Sequence, residues 1–385
     1  MSKMGREQAS GVSAPSAAVP ARRRKVASVA IELTPFCNQK CDYCYNEWRD
    51  DASASATPGE HTRLLTRVSR LLDAFDLDHV TLTGGEPLAS PMLLPLMDLL
   101  REHRVGVQII SNGGLVTEEI AARLAEYSLR YIQVTLNGAS RELHEAHVGP
   151  GHFDKTLRGV ELLRRHGVPV VGCIVLTQKT CAHTGALQEL WRSLGVTNVA
   201  LSRFSPAGYA ARHAAQLLPS RVDLLVAFEQ ADALARAHGL TLTCTMPVPP
   251  CAVEVERFSA LRFGTCAIGS SAQEFALGPD GKLRNCTLHR TAIGGVPDIG
   301  DPRVDLQALL DAPEVRDYKK ELPEFCQGCL HADTCAGGCG AAAEWVLGHA
   351  RRFADPFVMQ HVDDALAARL AQQRRDGRTH LEVIL

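Results

Sequence analysis

Short apolar runs of strand length alternate with amphipathic helical stretches along most of this 385-residue chain, and that alternation leaves few choices of fold. Strands separated by helices join through crossover connections, so the sheet they form is parallel and the class is α/β. Strands are expected at residues 26–33, 79–83, 106–111, 131–136, 169–177 and 198–203. The helices between them are expected at 62–75, 92–101, 118–126, 153–166 and 184–194, with a sixth at 222–238. Right-handed crossovers curl such a sheet on itself. Six units fall short of the eight that complete a barrel, which predicts a partial (β/α)6 barrel.

Barrel chemistry sits at the C-terminal ends of strands, and four successive ends carry polar or glycine-rich loops. Cys37, Cys41 and Cys44 follow the first strand in Thr34-Pro35-Phe36-Cys37-Asn38-Gln39-Lys40-Cys41-Asp42-Tyr43-Cys44. Thr83-Gly84-Gly85-Glu86-Pro87 follows the second, Ser111-Asn112-Gly113 the third and Thr135-Leu136-Asn137-Gly138 the fourth. A [4Fe-4S] cluster takes four ligands, so three thiolates on one loop leave one iron open to a substrate or cofactor. A structural metal site is closed by protein ligands. The glycines let backbone approach a ligand closely, and Glu86, Thr135 and Asn137 offer partners for an amine and a sugar hydroxyl. Taken alone, the cysteine loop is also compatible with part of a zinc site and Gly-Gly-Glu-Pro with an ordinary turn.

The loops, taken together and in this order, resemble the radical S-adenosylmethionine superfamily. Cys-x3-Cys-x2-Cys with Tyr43 before its last cysteine is similar to the family's cluster loop. Gly84, Gly85, Glu86 and Pro87 are similar to its methionine-binding stretch. Thr135 and Asn137 fall where its ribose contacts lie, although Asn137 stands where many relatives have Asp. Ser111 and Asn112 complete the cofactor-binding set. The resemblance implies a TIM-like partial barrel in which the open iron chelates S-adenosylmethionine. One electron, from a flavodoxin- or ferredoxin-type donor, then splits the sulfonium into methionine and a 5'-deoxyadenosyl radical that abstracts hydrogen from substrate. The protein positions these groups, excludes water and tunes potential.

A second cysteine field lies nearer the C-terminus. Cys266, Gly281 and Cys286 form Cys-x14-Gly-x4-Cys around a Pro279-Asp280-Gly281 hairpin turn, and Cys326-x2-Cys329-x5-Cys335-x3-Cys339 follows. This resembles the SPASM extension of the superfamily, a cysteine-rich domain carrying auxiliary iron-sulfur clusters. By that resemblance one cluster takes Cys266, Cys286 and Cys339, with Cys251 after Pro249-Pro250 as the fourth ligand. The other takes Cys326, Cys329 and Cys335. Its fourth cysteine is expected after an Asp-Pro, but Asp355-Pro356-Phe357 is followed by Val358, leaving Asp355, another side chain, solvent or substrate for that position. A zinc ribbon over 326–339 is the plainer alternative.

The implied domains are a disordered leader at 1–25, the radical domain at 26–240, the SPASM domain at 241–360 and a C-terminal helix and tail at 361–385. Thirteen cysteines without a secretory apolar segment point to a reducing compartment, the cytoplasm, rather than to disulfides. A formal net charge of −2 gives no footing to nucleic acid or an anionic membrane, and no stretch reaches membrane-span length. Cys173 reads as a buried small hydrophobe. Cys181, just past the fifth strand, is the one catalytic candidate, as a hydrogen-atom donor to a substrate radical. Arg203, after the sixth strand, is a candidate contact for a substrate or cofactor carboxylate, with a structural ion pair as the alternative. The histidines show no ligand-like spacing.

Three functions fit. The first is maturation of a ribosomally made peptide by crosslink, thioether or oxidation in natural-product biosynthesis; about 25 residues ahead of the first strand are too few for a recognition domain, so a separate leader-binding protein is expected. The second is oxidation or rearrangement of a sugar, nucleoside or tetrapyrrole. The third, a non-catalytic electron carrier, has no need of a cofactor-chelating site.

Overall fold

The structure is a computed structural model describing residues 23–50, 58–298 and 305–360. Of the leader expected over 1–25, residues 1–22 lie outside the described residues, while Arg24 and Lys25 belong to the first strand; the helix and tail expected over 361–385 also lie outside the described residues.

Six parallel strands form the heart of the sheet: β1 (Arg24–Glu32), β2 (Phe75–Thr83), β3 (Gly106–Ser111), β4 (Leu129–Thr135), β5 (Val170–Leu176) and β6 (Asn198–Arg203). They pair in chain order, with registers such as Val29 to Val80 and Ile109 to Ile132. The helices that carry the crossovers are α1 (Pro58–Ala74), α2 (Leu93–Glu102), α3 (Glu118–Ala125), α4 (Arg141–Val148), α5 (Phe153–Arg165) and α6 (Thr184–Ser193). After the one-turn α7 (Ala214–Leu217) comes α8 (Arg221–His238), opened by a Ser220 and Asp223 capping box and closed by the left-handed Gly239. Leu71, Leu96, Leu163 and Trp191, from the inner faces of α1, α2, α5 and α6, are buried against the sheet. Burying each aliphatic side chain contributes roughly 2 kcal/mol.

Helix α4 was not anticipated, because its buried face is His144, His147 and Val148, too polar to show an apolar stripe. The sheet also extends beyond the six units. Strands β7 (Thr241–Cys244) and β8 (Leu261–Phe263) continue it past β6, while β9 (Glu274–Leu277), β10 (Lys282–Arg284) and β11 (Ala292–Gly295) add to the other side. Strand β9 runs parallel to β1, Ser28 facing Glu274, so β1 is hydrogen-bonded on both edges. The resulting sheet has 11 strands in the order β11-β10-β9-β1-β2-β3-β4-β5-β6-β7-β8.

The β9–β10 turn is the expected one. Gly281 adopts φ +78°, its N–H donates to Gly278 O at 2.9 Å and the Asp280 carboxylate accepts from Lys282 N. Four short helices follow, α9 (Pro313–Arg316), α10 (Ala332–Cys335), α11 (Gly340–Leu347) and α12 (Pro356–Met359). No helix among the described residues is long and apolar enough to cross a membrane.

Candidate active site

The cysteine loop leaves the end of β1 and is stitched to the end of β2 before its first thiol. Leu33 N donates to Thr83 O, Gly85 N to Thr34 O at 2.6 Å and Glu86 N to Phe36 O at 2.8 Å. This contact explains the paired glycines. A Cβ on Gly85 would lie 2.0 Å from Phe36 O, and Gly84 has φ +117° with Thr34 O 2.7 Å from any added Cβ. The close approach expected of these glycines is thus to the chain's own cysteine loop. On its other side the loop is held by α4, through Lys40 N to Val148 O and Asp42 N to His147 O. The Asp42 carboxylate accepts from His147 Nδ1 at 2.9 Å and Lys179 Nζ at 3.1 Å. Burial alone would raise that carboxyl, but His147 and Lys179 outweigh it and hold it below the usual range.

Glu86 joins three strand ends. Its Oε1 accepts from Leu88 N and Ser111 Oγ, and its Oε2 from Asn112 N. The carboxylate is fully buried and raised by burial against the pull of these donors. The sequence suggested that it would meet an amine; the structure spends both oxygens on fastening the third strand end to the second. Asn112 extends the fastening, its Nδ2 donating to Asn38 Oδ1 at 2.8 Å and reaching Cys37 Sγ at 3.8 Å.

The three thiols thus sit on a braced loop. Burial pushes Cys37 up to about 11, and burial together with the Cys44 thiolate pushes Cys41 further. Such a group is stable as thiolates only around a cation, which deprotonates its ligands outright. Tyr43 packs edge-on to His147, with ring centroids 5.9 Å apart, and its phenol bonds to Cys41. Across the mouth, Asn137 accepts from Val175 N at its Oδ1, while its buried Nδ2 has no partner. That orphaned donor, beside the Thr135 hydroxyl that bonds Cys173, fits a hydroxyl-bearing ligand such as the ribose of S-adenosylmethionine.

Two expected participants are placed elsewhere. Arg203 is 0% exposed and paired with Asp355 at 2.5 Å, while its Nε donates to Pro247 O. It is therefore the ion pair that was the alternative reading, closed to a cofactor carboxylate. Cys181 is buried in the apolar core, its thiol raised by burial and then by Asp223 of α8. It faces the helical layer, not the mouth, because the turn that opens α6 directs it there.

Cys173 and Cys244 are buried singly, and the other seven cysteines form two groups, differently composed from those expected. Cys251 joins Cys326, Cys329 and Cys335 around a small apolar pocket that Val358 also lines. The four-thiol set is complete without a ligand after Asp355-Pro356, since Cys251 enters from β7's side of the fold. Asp355 is not free to serve as that ligand: it holds Arg203 and accepts from Cys339 N and Phe357 N. Cys266, Cys286 and Cys339 form the second group, in which burial and then its neighbours Cys339 and Cys266 raise the Cys286 thiol. No three His, Cys, Asp or Glu among the described residues converge as ligands of a single ion. The thiol groups suit clusters, which spread their ligands over several irons, better than a bare zinc site.

The three-thiol group opens on a cavity of ≈ 400 Å³ that reaches into the barrel. Its walls include Cys266, Cys286, Cys339 and Tyr318 on one side and Tyr45, Thr81, Thr83, Gln133, Ser202 and Glu274 on the other. Tyr45 donates or accepts at Thr83 Oγ1 over 2.7 Å. Tyr318 is hydrogen-bonded to His289 Nε2 at 3.0 Å, and His289 Nδ1 lies 3.0 Å from Glu344 Oε2. None of these wall residues outside the cysteines was singled out from the sequence. One signal was available: Thr81 and Thr83, Gln133 and Thr135, polar at alternate positions of strands expected to be apolar, mark an inward face meant to be wet.

Residues 31–180 match the model of the Radical SAM superfamily. Over 343 residues the chain is 28% identical to mycofactocin maturase MftC of Mycobacterium tuberculosis, covering 87% of this chain and 84% of that protein. It is 24% identical over 330 residues to the PqqA peptide cyclase of Gluconobacter oxydans, covering 84% and 88%. In fold it is similar to Streptococcus suis SuiB bound to its precursor peptide SuiA, with TM-score 0.66, 16% identity and coverage of 86% and 76%. The braced cysteine loop and the strand ends beneath it therefore lie within the stretch of chain that matches the Radical SAM superfamily.

Proposed function

We propose that this protein modifies a ribosomally synthesised peptide, admitting one segment of it to the cavity between the cysteine loop and the three-thiol group. The observation that carries this reading is the cavity itself, which has Tyr45 and Thr83 from the radical domain and Cys266, Cys286 and Cys339 in one continuous wall. The kinship with MftC and PqqA peptide cyclase supports a peptide as substrate. Cys37, Cys41 and Cys44 would hold the cluster that binds S-adenosylmethionine, and the two C-terminal thiol groups would hold auxiliary clusters. Bound S-adenosylmethionine and its cluster supply a radical that takes hydrogen from carbon.

The chain's own residues do the rest. Glu86 and Asn112 keep the cysteine loop in register with the strand ends. Asn137 and Thr135 orient the cofactor's sugar. Ile110, Met246, Ile268 and Leu288 on the cavity wall exclude water from the reacting carbon. A flavodoxin- or ferredoxin-type protein delivers the electron.

The test is anaerobic incubation of the reconstituted protein with S-adenosylmethionine, reductant and short peptides encoded beside its gene, followed by mass spectrometry. A peptide mass change matched by 5'-deoxyadenosine is expected. Deoxyadenosine with no change in any such peptide would move the assignment to a small molecule.

A further inference from the structure

We infer that Glu274 determines specificity in this cavity by pairing with a cationic group of the substrate, an ammonium or guanidinium. The inference rests on the reading that the cavity is the substrate site. Glu274 opens β9, the strand that the cysteine-rich region adds beside β1. Its Oε2 accepts from Ser28 Oγ at 2.9 Å and from Thr81 Oγ1 at 2.6 Å. Those two hydroxyls come from adjacent strands, β1 and β2, and fix the carboxylate against the barrel wall. The other oxygen, Oε1, has no protein partner among the described residues and is not sealed in the core. Glu274 itself lines the cavity.

The charge balance of the cavity gives this placement its meaning. Apart from Cys266, Cys286 and Cys339, which would be thiolates of an auxiliary cluster, Glu274 is the single charged side chain among the lining residues, the others being hydroxyl, amide, phenol or apolar. The buried carboxylates elsewhere are provided for. Glu32 pairs with Arg284, Asp232 with Arg236 and Asp355 with Arg203, and Glu86 takes two backbone N–H groups and a hydroxyl. Arg284, on the neighbouring β10, is committed to Glu32 and Glu47. Two hydroxyls alone do not call for a carboxylate, since a neutral amide oxygen accepts from them equally well. A negative charge held in a partly dehydrated cavity without a counter-charge is costly, and a cation arriving with the substrate removes that cost. It also forms a charge-assisted hydrogen bond of the stronger kind. A lysine side chain, an arginine side chain and a free peptide N-terminus all present this chemistry.

The experiment uses the reconstituted full chain and small probes, so that it stands apart from any failure to find the peptide. Binding of n-butylammonium, n-butylguanidinium and glycinamide is measured by saturation-transfer NMR, with butyrate and n-butanol as anionic and neutral controls. These arms separate lysine-like, arginine-like and N-terminal cations. At least one cation is expected to bind the wild type about ten-fold more tightly than it binds Glu274→Gln, with butanol binding unmoved by the substitution. Equal binding of butylammonium, butylguanidinium and butanol to the wild type would overturn the inference, whether or not the variant folds. So would weakened S-adenosylmethionine binding in Glu274→Gln, which would turn the carboxylate toward the cofactor instead.

Discussion

A methyl group at residue 85 has nowhere to go, because the position it would take is 2.0 Å from the carbonyl oxygen of Phe36. Gly85→Ala must therefore push the cysteine loop off the β2 end. Reconstituted protein is expected to hold about four irons fewer than wild type and to make no 5'-deoxyadenosine, with the C-terminal groups retained; iron counting checks this. His144 offers a pH test at the same scale. It is fully buried, and burial holds its imidazole down to about 4 while Asn137 N donates to its Nδ1. Unfolding restores an ordinary value, so the unfolded chain binds the extra proton between about pH 6.5 and pH 4. Stability is then complete above that window and falls with pH through it, by on the order of 3 kcal/mol. His144→Gln should flatten this slope in chemical unfolding measured across the window. The glycine pair and the cysteine loop were legible as letters. The carbonyls that demand those glycines were not, since they depend on how two strand ends meet.

Elements divide the same way. Strands β3 and β6 have the bounds their apolar runs predict, and the Pro279-Asp280-Gly281 turn folds as its residues require. The grouping of the cysteines was the illegible part. The family resemblance put Cys326, Cys329 and Cys335 in one set, but a fourth ligand 75 residues upstream, from 326 back to 251, leaves no local trace. Cys251→Ala should lower iron content by about four out of about twelve while 5'-deoxyadenosine formation persists. Cys251 placed with the other group instead would leave the pocket at Val358 unaffected, a difference that Mössbauer spectra of the variant resolve. The Arg203 and Asp355 pair joins β6 to the start of α12 with both side chains 0% exposed. Asp355→Ala strands a buried guanidinium and is expected to cost about 3–5 kcal/mol, read as a fall in melting temperature.

Across the whole molecule, the cysteine-rich region is part of the barrel's own sheet. Because β9 pairs with β1, a chain cut after His238 exposes the whole free edge of β1. Such a fragment is expected to aggregate where the full chain runs as a discrete species on size exclusion, as unpaired edges do. The sequence pattern indicated two successive regions and was silent on this shared edge, since three- and four-residue strands carry too little periodicity to reveal their partner. Tighter still is the join between the two C-terminal thiol groups. Cys335 belongs to the closed group and Cys339 to the one facing the cavity, and between them Ala336, Gly337 and Gly338 all take positive φ, at 50°, 86° and 81°. Four residues of chain span at most ~14 Å between Cα atoms, and this kinked turn cannot be drawn out to that length without giving up its three left-handed residues. Whatever redox centres the groups hold are kept one short jump apart, so an electron gained at the cavity wall has a built-in route toward the far side of the protein.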